Sequence, residues 1–180
     1  MKTDPRPIAA AAVVGAAYAA LTVLLSPISF GPIQLRLSEV LCILPFFIPG
    51  TAWGLFIGCA LANIMTGNVL DIVFGSLATL IAGLLTAHFG RHPERRFHAL
   101  LACLMPVLVN ALVVGWIITA AYNGMNILEH PGIFALNAGQ IAFGEAAVLL
   151  LLGLPLIHYL PKNTFFREYI DKTNIERNTP

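Results

Sequence analysis

The chain has 180 residues, of which 58% are hydrophobic and only 11% charged, with a formal net charge of +1. Soluble domains carry roughly a quarter charged residues, so this surface is too apolar for water and matches a bilayer as solvent. The near-zero charge excludes the strong positive field that nucleic-acid binding requires.

Lys2 and Arg6 precede a first apolar run over residues 8–25. The run is too long for the core of a signal peptide and lacks an A-x-A site, so it is expected to be a retained span. The Pro-, Gly- and Ser-rich stretch "SPISFGPIQLRLSE", 26–39, reads as a loop. Residues 40–65 are apolar, but Pro45, Pro49 and Gly50 interrupt them. Proline breaks helices, so two short helices at about 36–48 and 51–66 are expected in place of one long span. "TGNVLD" reads as a tight turn, with Asp71 placed to cap a helix over 72–89. The basic cluster "GRHPERRF" leads to a fifth helix over 100–122. The polar loop "NGMNILEHPG" leads to a sixth over 133–160, and the tail from Pro161 is polar and expected to be disordered beyond Tyr169.

The expected fold is therefore all-α, a polytopic membrane bundle of six transmembrane helices. It forms one domain, 1–180, with tails at 1–7 and 161–180 around a bundle at 8–160. Basic residues set its orientation. Lys2 and Arg6, then Arg91, Arg95 and Arg96, then Lys162, Arg167 and Lys172 fall on one side only with six crossings; the other side has Arg36. Both termini are expected in the cytoplasm.

No phosphate loop, nucleophile elbow, zinc-protease motif or dinucleotide fingerprint occurs. Cys42, Cys59 and Cys103 lie in apolar runs without CxxC spacing and read as small buried hydrophobes. His88 and His92 have the i,i+4 spacing of metal ligands, but read as a pair beside the basic cluster. No enzyme activity, metal or cofactor is expected.

Polar residues inside spans are costly and face a bundle interior or a cavity. Here they are Glu39, Asn63, Asn110, Asn137, Gln140 and Glu145. With Arg36, Asp71 and Trp116 they converge toward the outer half. That set suits a pocket for a small planar polar molecule; the bland alternatives are interhelical hydrogen bonds for the amides and an interfacial belt position for Trp116. Ala12, Ala16 and Ala20 make a small-residue stripe on the first helix. Ala11, Gly15 and Ala19 make another one face away, and Gly54, Gly58 and Ala62 a third on helix three. Such stripes let helices approach closely, within this chain or against a partner.

The stretches "IQLRLSEVLCILPFF", "GLFIGCALANIMTG", "LDIVFGSLATLIAGLLT", "PVLVNALVVG" and "GEAAVLLLLGLPL" resemble the QueT family. That family comprises substrate-binding S components of energy-coupling factor transporters. The resemblance spans about 8–160, and "RLSE" and "LDxxFGSLATL" are its most specific parts. It implies a six-helix S component importing a queuosine precursor of the 7-deazaguanine type. It also implies three partners, a transmembrane coupling subunit and two ATPase subunits, with Ala12, Ala16 and Ala20 as one register of the docking stripe. The substrate-binding set would be Arg36, Glu39, Asn63, Asp71, Asn110, Trp116, Asn137, Gln140 and Glu145. An S component for another small vitamin-like molecule, or a ligand-free structural or regulatory membrane subunit, stays open.

Overall fold

The structure is a computed structural model, and it describes residues 5–31, 33–91 and 96–170. Among the described residues all regular structure is helical, without strands. The α-helices are α1 (Arg6–Leu24), α2 (Ser26–Ser29), α3 (Thr51–Asn63), α4 (Ser76–Phe89), α5 (Arg96–Ile117), α6 (Pro131–Val148) and α7 (Leu154–Tyr159). Four helical stretches are long and apolar enough to cross a membrane: Arg6–Leu24, Asp71–Phe89, Phe97–Tyr122 and Pro131–Lys162. Leu37–Phe46 and Thr51–Thr66 are shorter apolar helices.

The Leu37–Phe46 segment is a 3-10 helix with Pro45 inside it. Proline lacks an N–H and crowds the carbonyl four residues back, which disfavours the α ladder. A 3-10 helix rises about 2.0 Å per residue, so this short segment reaches about 20 Å, where an α-helix of equal length reaches about 15 Å. The chain then turns at Pro49–Gly50 into α3, as the prolines imply.

The small-residue stripes separate by face. α1 packs chiefly on α3. A Cβ on Gly54 would strike the Ala11 carbonyl, and one on Gly58 would strike the Gly15 carbonyl. Ala11 and Gly15 therefore meet the Gly54–Gly58 stripe inside the chain, through backbone-to-backbone approach. Ala12, Ala16 and Ala20 lie on the exposed side of α1. Ala12 and Ala16 border an apolar groove of about 560 Å³ that Trp53, Ile57 and Leu61 of α3 complete.

α5 lies between α4 and α6. Ile43, Phe46, Cys103, Val107, Leu149 and Ile157 form the main apolar core. A second core joins Tyr18, Cys42, Leu55 and Cys59. All three cysteines are buried thiols.

Asn68, not Asp71, caps the helix after the "TGNVLD" turn. Its Oδ1 accepts the Leu70 N–H at 2.9 Å, and Gly67 takes the left-handed φ of 65° that ends the preceding turn. Asp71 sits further in, at the start of a π-helical turn, Asp71–Gly75.

One end of the bundle gathers the start of α1, the 46–50 turn, the end of α4 and the segment after α7. The Tyr169 hydroxyl donates to the Arg6 carbonyl at 3.0 Å. Phe47 meets Phe166 edge-on at 5.4 Å, and Gly90 lies against the Phe46 carbonyl. Residues 164–170 are helical, with Asn163 Oδ1 accepting the Phe165 N–H at 3.0 Å. The tail beyond residue 170, expected to be disordered, lies outside the described residues, as does His92.

Candidate functional site

The opposite end holds a cavity of about 430 Å³. Three segments wall it: the loop after α2 (Phe30, Gly31, Gln34), the corner between α3 and α4 (Met65, Thr66, Asp71), and the end of α5 (Val114, Ile117, Ile118, Tyr122). Its volume lies in the range of small-molecule sites.

The loop reaches deep. A Cβ on Gly144 would collide with the Ile33 carbonyl, roughly 20 Å along α6 from Pro131 at 1.5 Å per residue. Irregular backbone at that depth is tolerated where protein buries it or where it lines a cavity. Gln34 holds a φ of 47° there, a conformation uncommon for residues other than glycine. Such outliers concentrate at ligand clamps and switch regions. Two π-helical turns, Asp71–Gly75 and Ile118–Tyr122, also border the cavity. Turns of this kind are frequent at functional sites.

Beside the cavity lies a buried polar network. Phe30, a wall residue, packs its ring 5.3 Å from the Arg36 guanidinium, a cation–π contact. Arg36 Nη1 stands 3.7 Å from Glu39 Oε1 and donates to the Tyr18 hydroxyl at 3.4 Å. Tyr18 in turn donates to Glu39 Oε1 at 2.5 Å. The Cys42 thiol donates to Glu39 Oε2 at 3.0 Å. Thr22 and Ser38 close this side with a 2.6 Å hydrogen bond between hydroxyls. The Cys59 sulfur accepts from Thr79 at 3.2 Å and from Asn63 Nδ2 at 3.5 Å. Asn63 Nδ2 also donates to the Asp71 carbonyl at 3.0 Å, tying α3 to the cavity corner.

A second polar pair joins α5 to α6. Asn110 Nδ2 donates to Glu145 Oε1 at 2.7 Å. Asn110 Oδ1 and Glu145 Oε2 are buried without a hydrogen-bond partner, as are Asn63 Oδ1 and Arg36 Nε. Asn110 lies one helical turn from Val114, which lines the cavity. Glu145 follows Gly144, which holds the Ile33–Gln34 loop. It also lies within electrostatic range of Glu39 and Arg36, so the two polar groups share one region. Buried polar atoms are ordinarily paired; none of these four residues is among the wall residues of the cavity, so the atoms lie behind its wall.

The expected site residues thus divide. Asp71 is the one expected residue among the wall residues of the cavity; Arg36, Glu39 and Asn63 gather behind that wall, and Asn110 and Glu145 form the adjoining pair. Asn137 is an interhelical link: its Nδ2 donates to the Thr119 hydroxyl at 3.0 Å. Gln140 is half-buried on α6 and does not line the cavity. Trp116 is half-buried and meets Phe74 edge-on at 5.8 Å; it too lies off the cavity wall. The sequence reading missed Tyr18, Phe30, Gln34, Thr66 and Tyr122. Tyr18 carried a signal, a lone phenol within an alanine-rich span. Gln34 carried another, an amide in the loop just before "RLSE".

The family described as QueT transporter matches residues 8–162. A relative from Lactococcus lactis subsp. cremoris, described as queuosine precursor transporter QueT, is 38% identical over 82 residues. The match takes in 44% of this chain and spans about half, 48%, of the relative's length. No solved structure matches the chain significantly. With several apolar helices of membrane-crossing length and a family match over nearly all its described residues, this multi-pass membrane protein belongs to the QueT transporter family, a family of transporters and not of enzymes.

Proposed function

We propose that the chain is the substrate-binding subunit of an ATP-driven energy-coupling factor importer in the cytoplasmic membrane, and that it takes up a 7-deazaguanine precursor of queuosine. The observation that carries the substrate half is the cavity beside unpartnered Asn110 Oδ1, Glu145 Oε2 and Asn63 Oδ1. A guanine-like edge brings an N1–H and an amino group as donors and a carbonyl as acceptor. These three acceptors and the Arg36 Nε donor, which lie behind the cavity wall, would match that edge once the ligand reaches them. Phe30 and Tyr122 give the cavity flat walls for a ring face. The name of the Lactococcus relative supports the same substrate.

The transport half rests on what the chain lacks and on its exposed face. Its sequence has no phosphate loop, so ATP hydrolysis belongs to two partner ATPase subunits, through a transmembrane coupling subunit. The exposed Ala12, Ala16 and Ala20 and the groove beside them are the docking surface for that subunit. Six crossings place the cavity outside and both termini inside. The gathering of Arg6, Arg91 and the segment after α7 away from the cavity supports this orientation.

Identifying the small molecule that co-purifies with the full chain, then titrating it, tests the substrate. A 7-deazaguanine bound more tightly than guanine or unrelated vitamins is expected. Binding of a vitamin in its place would reassign the substrate, and binding of nothing would favour a structural subunit. Uptake into vesicles carrying this chain and its three partner subunits should require ATP; uptake by this chain alone would overturn the coupling.

A further inference from the structure

The end of the bundle that gathers the start of α1 and the segment after α7 has a cavity of its own, of about 470 Å³. Phe46, Phe47 and Pro49 wall it on one side, and Leu84, His88 and Arg91 on the other. No Asp or Glu lines it with them, so the wall itself offers the Arg91 guanidinium no carboxylate. The two walls are fixed against each other. A Cβ on Gly90 would strike the Phe46 carbonyl, so the end of α4 lies directly on the 3-10 helix. The Arg91 N–H then donates to the His88 carbonyl at 3.3 Å, which sets the turn that carries the guanidinium.

His88 and Arg91 also end a stripe. Leu77, Ile81, Leu84 and His88 recur at helical three- and four-residue steps, which keeps them on one face of α4, and Arg91 follows at the same spacing. All five are exposed. At 1.5 Å per residue the face is apolar for about 10 Å, from Leu77 to Leu84, and offers donors and positive charge over the next ~10 Å. On a membrane-spanning helix that sequence of chemistry matches one lipid molecule, tail then headgroup.

We propose that this cavity holds the headgroup of an anionic phospholipid, with its phosphate on Arg91 and His88 and an acyl chain along Leu84, Ile81 and Leu77. Basic pockets between helices near the membrane surface recognise such headgroups. The planar guanidinium matches two phosphate oxygens, and the imidazole adds an N–H donor. The last carbonyls of α4 oppose an anion, so recognition falls to these two side chains. A zwitterionic headgroup brings the same phosphate together with an ammonium that no carboxylate of the wall receives. The apolar stripe selects a lipid over a soluble phosphate. The site does not depend on which molecule is transported.

The experiment is native mass spectrometry of the full chain, equilibrated in detergent with equal amounts of phosphatidylglycerol and phosphatidylcholine of identical acyl chains. The native protein is expected to carry phosphatidylglycerol over phosphatidylcholine by about fivefold or more. The His88→Ala/Arg91→Ala double variant should bring the two lipids within about twofold. Arg167→Ala, which removes an exposed cation of the same end outside this wall, should keep the preference. Equal binding of the two lipids by the native protein overturns the site, and that comparison stands even where the double variant fails to fold. An equal loss of preference in Arg167→Ala overturns it as well, since general attraction to positive charge would then suffice. Inorganic phosphate in large excess should leave the bound phosphatidylglycerol in place; its displacement would make this a soluble-anion site and overturn the lipid assignment.

Discussion

The Tyr18 hydroxyl donates to Glu39 Oε1 at 2.5 Å, joining α1 to the 3-10 helix across 21 residues of sequence. One face of α1 thus reaches the polar network beside the cavity, while the opposite face exposes Ala12, Ala16 and Ala20. Tyr18→Phe removes the donor and leaves Glu39 Oε1 with Arg36 at 3.7 Å. A buried acceptor losing its partner costs about 1–3 kcal/mol. Thermal unfolding of the detergent-purified variant should fall by roughly 3–10 °C. An unchanged melting temperature would show that this contact does not hold α1 to the 3-10 helix.

The two faces of α1 give opposite expectations for small-to-large changes. Gly54→Ala places a methyl against the Ala11 carbonyl, so α1 and α3 must separate. Rigid backbone on both sides makes this more costly than ordinary overpacking of about 1–3 kcal/mol. A large loss of stability is expected, read as a lower melting temperature and poor membrane yield. Ala16→Trp extends into the exposed groove and should leave stability and ligand affinity intact while abolishing uptake by the assembled importer. Normal uptake by Ala16→Trp would show that the docking surface lies elsewhere.

Impermeant thiol reagents report the orientation. Cys42, Cys59 and Cys103 are all fully buried, so the background labelling of intact cells should be low. A cysteine replacing Asn126 should react from outside, and one replacing Arg91 only after the membrane is opened. Labelling of both from the same side would remove the six-crossing arrangement.

Much of this architecture was legible in the residues because a bilayer demands long apolar runs and punishes charge within them. The break at Pro45, Pro49 and Gly50 was readable because proline cannot continue a helix. The 3-10 character of 37–46 was not, since the ladder there is chosen by packing on α4 and α1 as well as by Pro45. Glu39 and Arg36 were visible as costly residues, but their partner Tyr18 was hidden in a stripe read only for its small neighbours. Trp116 shows the reverse case. It had the chemistry for stacking, yet its position on α5 turns it toward Phe74 of the Asp71–Gly75 turn. The cavity wall at Gln34 depends on a loop descending to Gly144, a long-range contact that local patterning does not encode. The stripe of Ala11 and Gly15 could be told from that of Ala12 and Ala16 only once the matching glycines of α3 were seen opposite.

Glu145 gives the sharpest test of the proposed ligand acceptors. Its Oε1 takes the Asn110 amide at 2.7 Å, and its Oε2 is buried without a partner. In Glu145→Gln the new amide can keep its oxygen on Asn110. The nitrogen then occupies the Oε2 position and presents N–H groups where an acceptor stood. The helix–helix hydrogen bond survives, so the melting temperature should change little. A ligand donor that needs Oε2 meets another donor. The loss of a hydrogen bond to a charged group is about 1.5–3 kcal/mol, so affinity for the 7-deazaguanine should fall by roughly ten- to a hundredfold. Asn110→Leu is the complementary change. It strips the donor from Glu145 and leaves both carboxylate oxygens bare, so stability should drop by about 1–3 kcal/mol, with or without ligand. Affinity measured by titration and melting followed by fluorescence, on the same samples, separate the two effects. Unchanged affinity in Glu145→Gln would make the Asn110–Glu145 pair a helix clamp and move the donor-binding role to Asn63 Oδ1, the unpartnered acceptor next to Asp71.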